Sequence, residues 1–156
     1  MPVQKKPIET TTVGSFPKPS YVPVRDWFDF ARATGGMNTS QTTRDYTTDS
    51  QKDADSHEAL FIRAAKEVID IQVRAGISIP TDGEVRRENY IHYHCRHLDG
   101  FDFVDLENRV LRDGAYETDL PAIRQAVSHT GKFYGAHDFK ASQAVSARPV
   151  KFTLPG

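Results

Sequence analysis

The residues best suited to chemistry lie in Thr81-Asp82-Gly83-Glu84-Val85-Arg86-Arg87-Glu88. They follow a short β-branched run, Ile77-Ser78-Ile79-Pro80. A carboxylate at the end of a strand can hold an amino group through a charge-assisted hydrogen bond. In α/β folds the carboxyl ends of parallel strands are where ligands bind. Glu84 is the candidate for that task, and Asp82 either shares it or shapes the turn. The plainer alternative for Glu84 is an ion pair, with Arg86 and Arg87 both available.

Two other stretches carry reactive or polar groups. Gly14-Ser15 closes the Thr- and Val-rich run that starts at Ile8. It reads either as a first strand entering a turn, or as a backbone cradle for a carboxylate or phosphate to which Ser15 adds a hydroxyl. His92-Tyr93-His94-Cys95-Arg96-His97 has the residue types of a zinc site. Its spacing argues against one. On a strand, His92 and His94 share a face and Cys95 takes the other; on a helix, His94 and His97 are neighbours and His92 turns away. Tyr90, Ile91, His94 and Leu98 fit an amphipathic helix better. His57 falls in the first turn of a helix, on its solvent side, and His129 and His137 stand apart. The sequence has no glycine-rich phosphate loop, nucleophile elbow or Cys-x-x-Cys pair.

Several elements must position these groups. The strongest helix signal runs from about Ser56 to Ala75, with Asp55 and Glu58 in a capping-box pattern. Phe61, Ala64, Ala65, Val68, Gln72 and Ala75 form its apolar stripe, widened by Leu60, Ile69 and Ile71. Arg63, Lys66, Glu67, Asp70 and Arg74 take the other side. Gly76 sits where a left-handed residue ends a helix, and the strand Ile77 to Thr81 begins at once. Residues 17–49 read as a long excursion: prolines first, then aromatics at Trp27, Phe28 and Phe30 in a short helix or turn, then a polar stretch from Gly35 to Asp49. Arg86 to Leu98 is ambiguous. Phe101 to Val104 reads as extended, Asn108 to Tyr116 as a hairpin turning at Asp113-Gly114, and Gly131 to Phe139 as a further extended piece. Leu120 to Val127 has too short a period to classify. Pro149 to Gly156 reads as a third strand. The order strand, loop, helix, strand, helix, excursion, strand opens a parallel α/β fold.

Composition bounds the function classes. The 156 residues suffice for one ordinary domain, and 38% hydrophobic with 26% charged content describes a globular chain. A formal net charge of −1 gives no broad footprint for nucleic acid or for an anionic membrane. No apolar run is long enough to span a bilayer, and the N-terminus is not a secretory signal. A single cysteine, Cys95, fits a reducing compartment, here the cytoplasm.

Four of these stretches, in order, resemble the catalytic C-terminal barrel of the cobalamin-independent methionine synthase family. Thr10-Thr11-Thr12-Val13-Gly14-Ser15-Phe16-Pro17 is similar to the start of that barrel, and Ile79 to Arg87 to its second-strand motif. Leu98-Asp99-Gly100-Phe101 is similar to the segment after the next helix, and Val150 to Gly156 to the third strand. The resemblance implies a partial (β/α)₈ TIM barrel over residues 1–156, comprising its first three strands and the intervening helices. It implies methyl transfer from 5-methyltetrahydrofolate, carried as a polyglutamate, to the thiol of homocysteine, aided by zinc. By position it implies that Val13, Gly14, Ser15 and Glu84 bind homocysteine. The family's zinc ligands come from later strands, so the resemblance gives this chain no metal ligands and no catalytic residues of its own. The chain is then expected to be an N-terminal fragment, inactive alone, or a piece that assembles with a complementing C-terminal segment. Two alternatives stand beside this reading. One is a thiol alkyltransferase of the same superfamily, of the coenzyme M type. The other is a small metal-binding or interaction module built on His92 to His97.

Overall fold

Helix α2, Ala54–Arg74, is the element against which the site-bearing segments are laid. The computed structural model describes residues 8–26, 40–50, 54–114, 116–129, 131 and 134–155. The expected aromatic turn at Trp27, Phe28 and Phe30, the start of the polar stretch at Gly35, and the terminal Gly156 lie outside these residues.

Ala64, Ala65, Val68, Ile69 and Gln72 of α2 are buried, as the three- and four-residue spacing requires. Ile71, counted in the widened stripe, is exposed, and so is Ala75. Arg63–Glu67 and Lys66–Asp70 form i,i+4 ion pairs on the solvent side, each worth about 0.3–0.5 kcal/mol. Asp55 falls inside the helix rather than before it, and Glu58 is engaged elsewhere. Its carboxylate takes both guanidinium nitrogens of Arg86, at 2.5 and 2.7 Å. At the other end, Gly76 adopts φ +88°. Its N–H donates to Val73 O and that of Ile77 to Gln72 O, both at 3.0 Å. These are the two bonds of a Schellman motif, and they turn the chain directly into the next segment.

Three short segments then meet side by side in parallel. Thr11 bridges Ile79, and Thr81 bridges Lys151. Ile79 N–H donates to Thr10 O and Lys151 N–H to Pro80 O, each at 2.9 Å. The order is first, second, third, as the sequence order of strands implies. The segments touch through single bridges rather than long ladders, and side chains complete the joins. Gln72 does most of this. Its Nε2 donates to Thr81 O at 2.8 Å, and its Oε1 accepts from Thr81 N–H at 3.0 Å and from Thr12 Oγ1 at 2.7 Å. Lys151 Nζ donates to Thr12 O at 2.6 Å.

The remaining elements are α1 (Ser40–Ser50), α3 (His92–Cys95), β1 (Leu98–Leu111), β2 (Tyr116–His129) and α4 (Tyr134–Ala144). Three of them correct the sequence reading. Part of the 17–49 excursion is helical, because Thr43 and Tyr46 turn inward, where Arg96 donates to Thr43 O and lies over the Tyr46 ring. The expected extended piece at Gly131 to Phe139 is largely α4, whose Gly135, Asp138 and Ser142 face the interior at helical spacing. Of the amphipathic stripe expected at Tyr90, Ile91, His94 and Leu98, His94 is buried and Leu98 half-buried, but Tyr90 is 52% exposed and Ile91 is exposed too, and His92 and Tyr93 are buried in their place.

Strands β1 and β2, fourteen residues each, pair antiparallel with register shifts between Asp99 and Phe101 and between Asp102 and Glu107, so the hairpin is longer at both ends than Asn108 to Tyr116 and takes in Leu120 to Val127. Its turn does lie at Asp113-Gly114, with φ +54° and +90°. Among the described residues no helix is long and apolar enough to cross a membrane.

Replacing Gln72 by Leu keeps the volume but strands the buried N–H and C=O of Thr81. We expect a loss of about 2–4 kcal/mol of stability, read from the urea midpoint at unchanged slope.

Candidate functional site

Ser15, Glu84 and Thr153 come from the C-terminal ends of the three parallel segments, and they meet. Ser15 Oγ donates to Glu84 Oε2 at 2.7 Å. Thr153 Oγ1 donates to Glu84 Oε1 at 3.1 Å, and Arg87 Nη1 reaches the same oxygen at 3.3 Å. Arg87 also donates to Thr153 Oγ1 and Thr153 O, both at 3.0 Å. The carboxylate is 5% exposed at the residue level, so these contacts are made away from bulk water.

The local backbone explains how Glu84 gets there. Glu84 has φ +57°, a left-handed conformation that a residue with a Cβ adopts only when held. Asp82 Oδ1 accepts its N–H at 3.0 Å, and Thr81 Oγ1 accepts the N–H of Gly83 at 3.2 Å. Asp82 therefore shapes the turn, one of the two roles left open for it. Gly83 has φ +68°, and a Cβ there would lie 2.6 Å from Val68 Cγ1 and 2.7 Å from Phe16 Cβ. That close approach lets Gly83 O accept the Phe16 N–H at 3.0 Å, which locks the Ser15 segment to the Glu84 turn.

Of the other expected residues, Gly14 is exposed at φ +83° with open space where a Cβ would stand. Val13 points its side chain outward, 88% exposed, so any part it plays is through its backbone. Only one of the two arginines available to Glu84 goes to it. Arg86 serves Glu58 and lies 3.7 Å from Asp138, joining α2 to α4. Thr153 and Arg87 complete the constellation. The signal for Thr153 was its place just past the third strand, which the residue type alone does not announce.

The histidine cluster is not gathered as a metal site. His94 Nδ1 bonds the Tyr134 hydroxyl, His97 stacks on the Tyr134 ring at 3.7 Å, and His92 meets Phe103 edge-on. Among the described residues no group of three or more His, Cys, Asp or Glu side chains could hold a metal ion. The isolated histidines also have partners: His137 contacts Glu58 at 3.2 Å, and His129 Nδ1 accepts the Gly131 N–H. His57 is half-buried rather than in solvent. Burial, and then the Arg96 charge, pushes His92 down to about 4; burial, then Arg87 and His97, does the same to His94. Arg96 itself runs from Glu88 Oε1 at 2.6 Å to Thr47 Oγ1 at 2.8 Å, between the rings of Tyr46 and Phe103. It pins α1 and β1 beside the site.

The methionine synthase of Sulfolobus acidocaldarius is 32% identical over 96 residues, covering 62% of this chain and 23% of that protein. A Saccharolobus islandicus methionine synthase is 28% identical over 96 residues, covering 62% of this chain and 24% of its own. The chain thus spans about a quarter of the length of the curated relatives it matches. The B12-independent methionine synthase of Shewanella sp. W3-18-1, solved in complex with selenomethionine, matches with a TM-score of 0.68 and 25% identity, covering 94% of this chain and 37% of that one. No family model matches the chain.

Two outcomes follow from the site's electrostatics. Glu84→Gln leaves the buried Arg87 guanidinium without its counter-charge and should cost about 3–5 kcal/mol. The double variant Glu84→Gln/Arg87→Met should recover part of that loss in chemical denaturation. Separately, His92 and His94 titrate lower in the folded chain than in the unfolded one, so protonation favours unfolding. Their contribution is complete above the ordinary histidine value of 6.5 and is lost as pH falls toward about 4. Burial raises the Asp82 and Glu88 carboxyls, which act in the opposite sense. The histidine part is therefore the difference in denaturation midpoint between wild type and His92→Leu/His94→Gln, which should shrink on acidification.

Proposed function

This chain is related to methionine synthases, the B12-independent Shewanella enzyme among them, over part of their length, and from that premise we propose that it forms the amino-acid-binding part of a methyltransferase of methionine biosynthesis. On this reading the three parallel segments are the opening strands of a (β/α)₈ barrel. The acceptor is homocysteine, the donor is a methylated folate, and the protein works in the cytoplasm. The single observation that carries the reading is the meeting of Ser15, Glu84 and Thr153 at one end of the three segments. That end is where barrels and open α/β sheets bind their ligands.

The chemistry of the site suits an α-amino acid. Glu84 presents a buried carboxylate, which can accept a hydrogen bond from an ammonium group. Its two oxygens offer about four acceptor positions, and Ser15, Thr153 and Arg87 use three of them. Ser15, Thr153 and Arg87 fix where the carboxylate points, so little reorganisation is needed when the ligand arrives. The open space at Gly14 lets a ligand approach the backbone of the first segment.

Methyl transfer to a thiol also requires the sulfur as thiolate, which zinc supplies when bound by methionine synthases of this kind. The described residues do not fit such a metal. The amino-acid end of the substrate falls to this chain on that reading, and metal binding to a complementing C-terminal segment. The chain alone is then expected to bind the acceptor without turning it over.

Calorimetric titration tests this without altering the protein. L-homocysteine should bind, and its deamino analogue, which keeps the thiol and carboxylate but lacks the ammonium, should bind at least about tenfold more weakly. Equal affinities would remove the role given to Glu84. Zinc-dependent methyl transfer by the 156-residue chain alone would overturn the division of labour.

A further inference from the structure

Helix α4 is held by polar contacts rather than by apolar burial. Its buried residues are Gly135, Asp138 and Ser142, whereas α2 seats Ala64, Ala65, Val68 and Ile69. A helix with so little apolar contact is among the first parts of a chain to open. Its first turn docks through Tyr134. The Tyr134 hydroxyl bonds His94 Nδ1, and His97 stacks on the Tyr134 ring, with 3.7 Å between centroids and 12° between planes. Its middle is held by Asp138, which accepts the Tyr93 hydroxyl at 2.7 Å and lies 3.7 Å from Arg86 Nε. At its end, Gln143 Oε1 accepts the Val150 N–H at 3.1 Å. The helix thus runs from the histidines to the third parallel segment, which carries Thr153 to Glu84.

The first of these contacts is the one a proton weakens. His94 is 6% exposed, and its Nε2 is buried with no acceptor. A proton makes both ring nitrogens donors and puts a positive charge on that ring. The charge would face another: His94 and the Arg87 guanidinium both lie against the Phe152 ring, at 6.4 and 4.9 Å. Burial, then Arg87 and His97, push His94 down to about 4, with Glu84 pulling the other way. Burial also lowers His97, with Asp138 opposing and Arg96 adding. From α4 itself the charged neighbours are Asp138, already engaged by Tyr93 and Arg86, and His137, whose proton would tighten it on Glu58, 3.2 Å away.

We propose that the seat of Tyr134 on His94 and His97 is an acid-released latch: a proton on His94 frees α4, and with it the join to the third segment, while α2 stays folded. The latch is independent of what binds at Glu84. Once α4 lifts, His94 regains the ordinary histidine value of 6.5. The seat is therefore complete above that value and is lost as pH falls toward about 4. The opening equilibrium of α4 rises about thirtyfold between about pH 8 and about pH 5.

Amide hydrogen exchange of the whole chain, read by mass spectrometry and corrected for the intrinsic effect of pH, tests this. Protection of residues 136–144, Val150 and Lys151 should fall about thirtyfold from about pH 8 to about pH 5, with residues 64–69 of α2 unchanged. In His94→Asn the amide stands where Nδ1 stood and does not titrate, so the fall should shrink to less than about threefold. Equal protection of α4 at both pH values overturns the latch. The same fall in His94→Asn overturns it too, because another group then carries the proton. A parallel loss over α2 also overturns it, since the release is then unfolding of the whole chain. NMR titration of the His94 ring in the wild type gives a reading that does not depend on the variant folding: titration well below 6.5 supports the latch, and titration at 6.5 overturns it.

Discussion

One carboxylate ties the three parallel segments together at their ends. Glu84 receives Ser15 from the first, belongs to the second, and receives Thr153 from the third, while Arg87 bridges it to Thr153. Between the segments themselves the hydrogen bonding is sparse, with single bridges at Thr11–Ile79 and Thr81–Lys151. Long ladders normally hold parallel strands in register. Here Gln72, Lys151 and Glu84 do that work through side chains, so the same atoms that define the site also define the packing.

The sequence disclosed this arrangement unevenly, and the reasons are physical. The α2 helix, the Gly76 stop and the strand after it were legible because helical spacing and a left-handed glycine leave marks on the residue pattern. The Ser15–Glu84 contact was reachable because both residues close β-rich runs. The hairpin was legible only at its turn, since Asp113-Gly114 is a local signal, whereas fourteen-residue strands with exposed Val104, Val110 and Ile123 lack a clean alternation. Helix α4 was missed because its inward positions are Gly135, Asp138 and Ser142, which carry no apolar period. Asp138 is inward because it accepts the Tyr93 hydroxyl at 2.7 Å and lies near Arg86. Helix α1 was missed for a related reason: its Thr-rich face is engaged by Arg96, a contact fifty residues distant in sequence and invisible to local pattern.

Thr153 illustrates the same limit at the site. Threonine past a strand end is ordinary. What distinguishes this one is the buried Glu84 carboxylate it donates to, and that follows from the tertiary meeting of segments 69 residues apart. Residue type gave candidates; burial and partner separated them.

Stability alone does not account for the choice of groups at this end of the fold. Burying a carboxylate and a guanidinium costs desolvation that their attraction only partly offsets, and an apolar cluster of similar volume commonly does as well or better. Val68, Val85, Phe16 and Phe61 show that apolar packing is available a few ångströms away in the same molecule. Glu84 is also held in a left-handed conformation, at φ +57°, which adds strain that a different residue or turn would avoid. A buried ion pair and a strained turn each weaken the fold, and both fall where the three segments end. Their common position is explained if the polar groups are arranged for something that binds there.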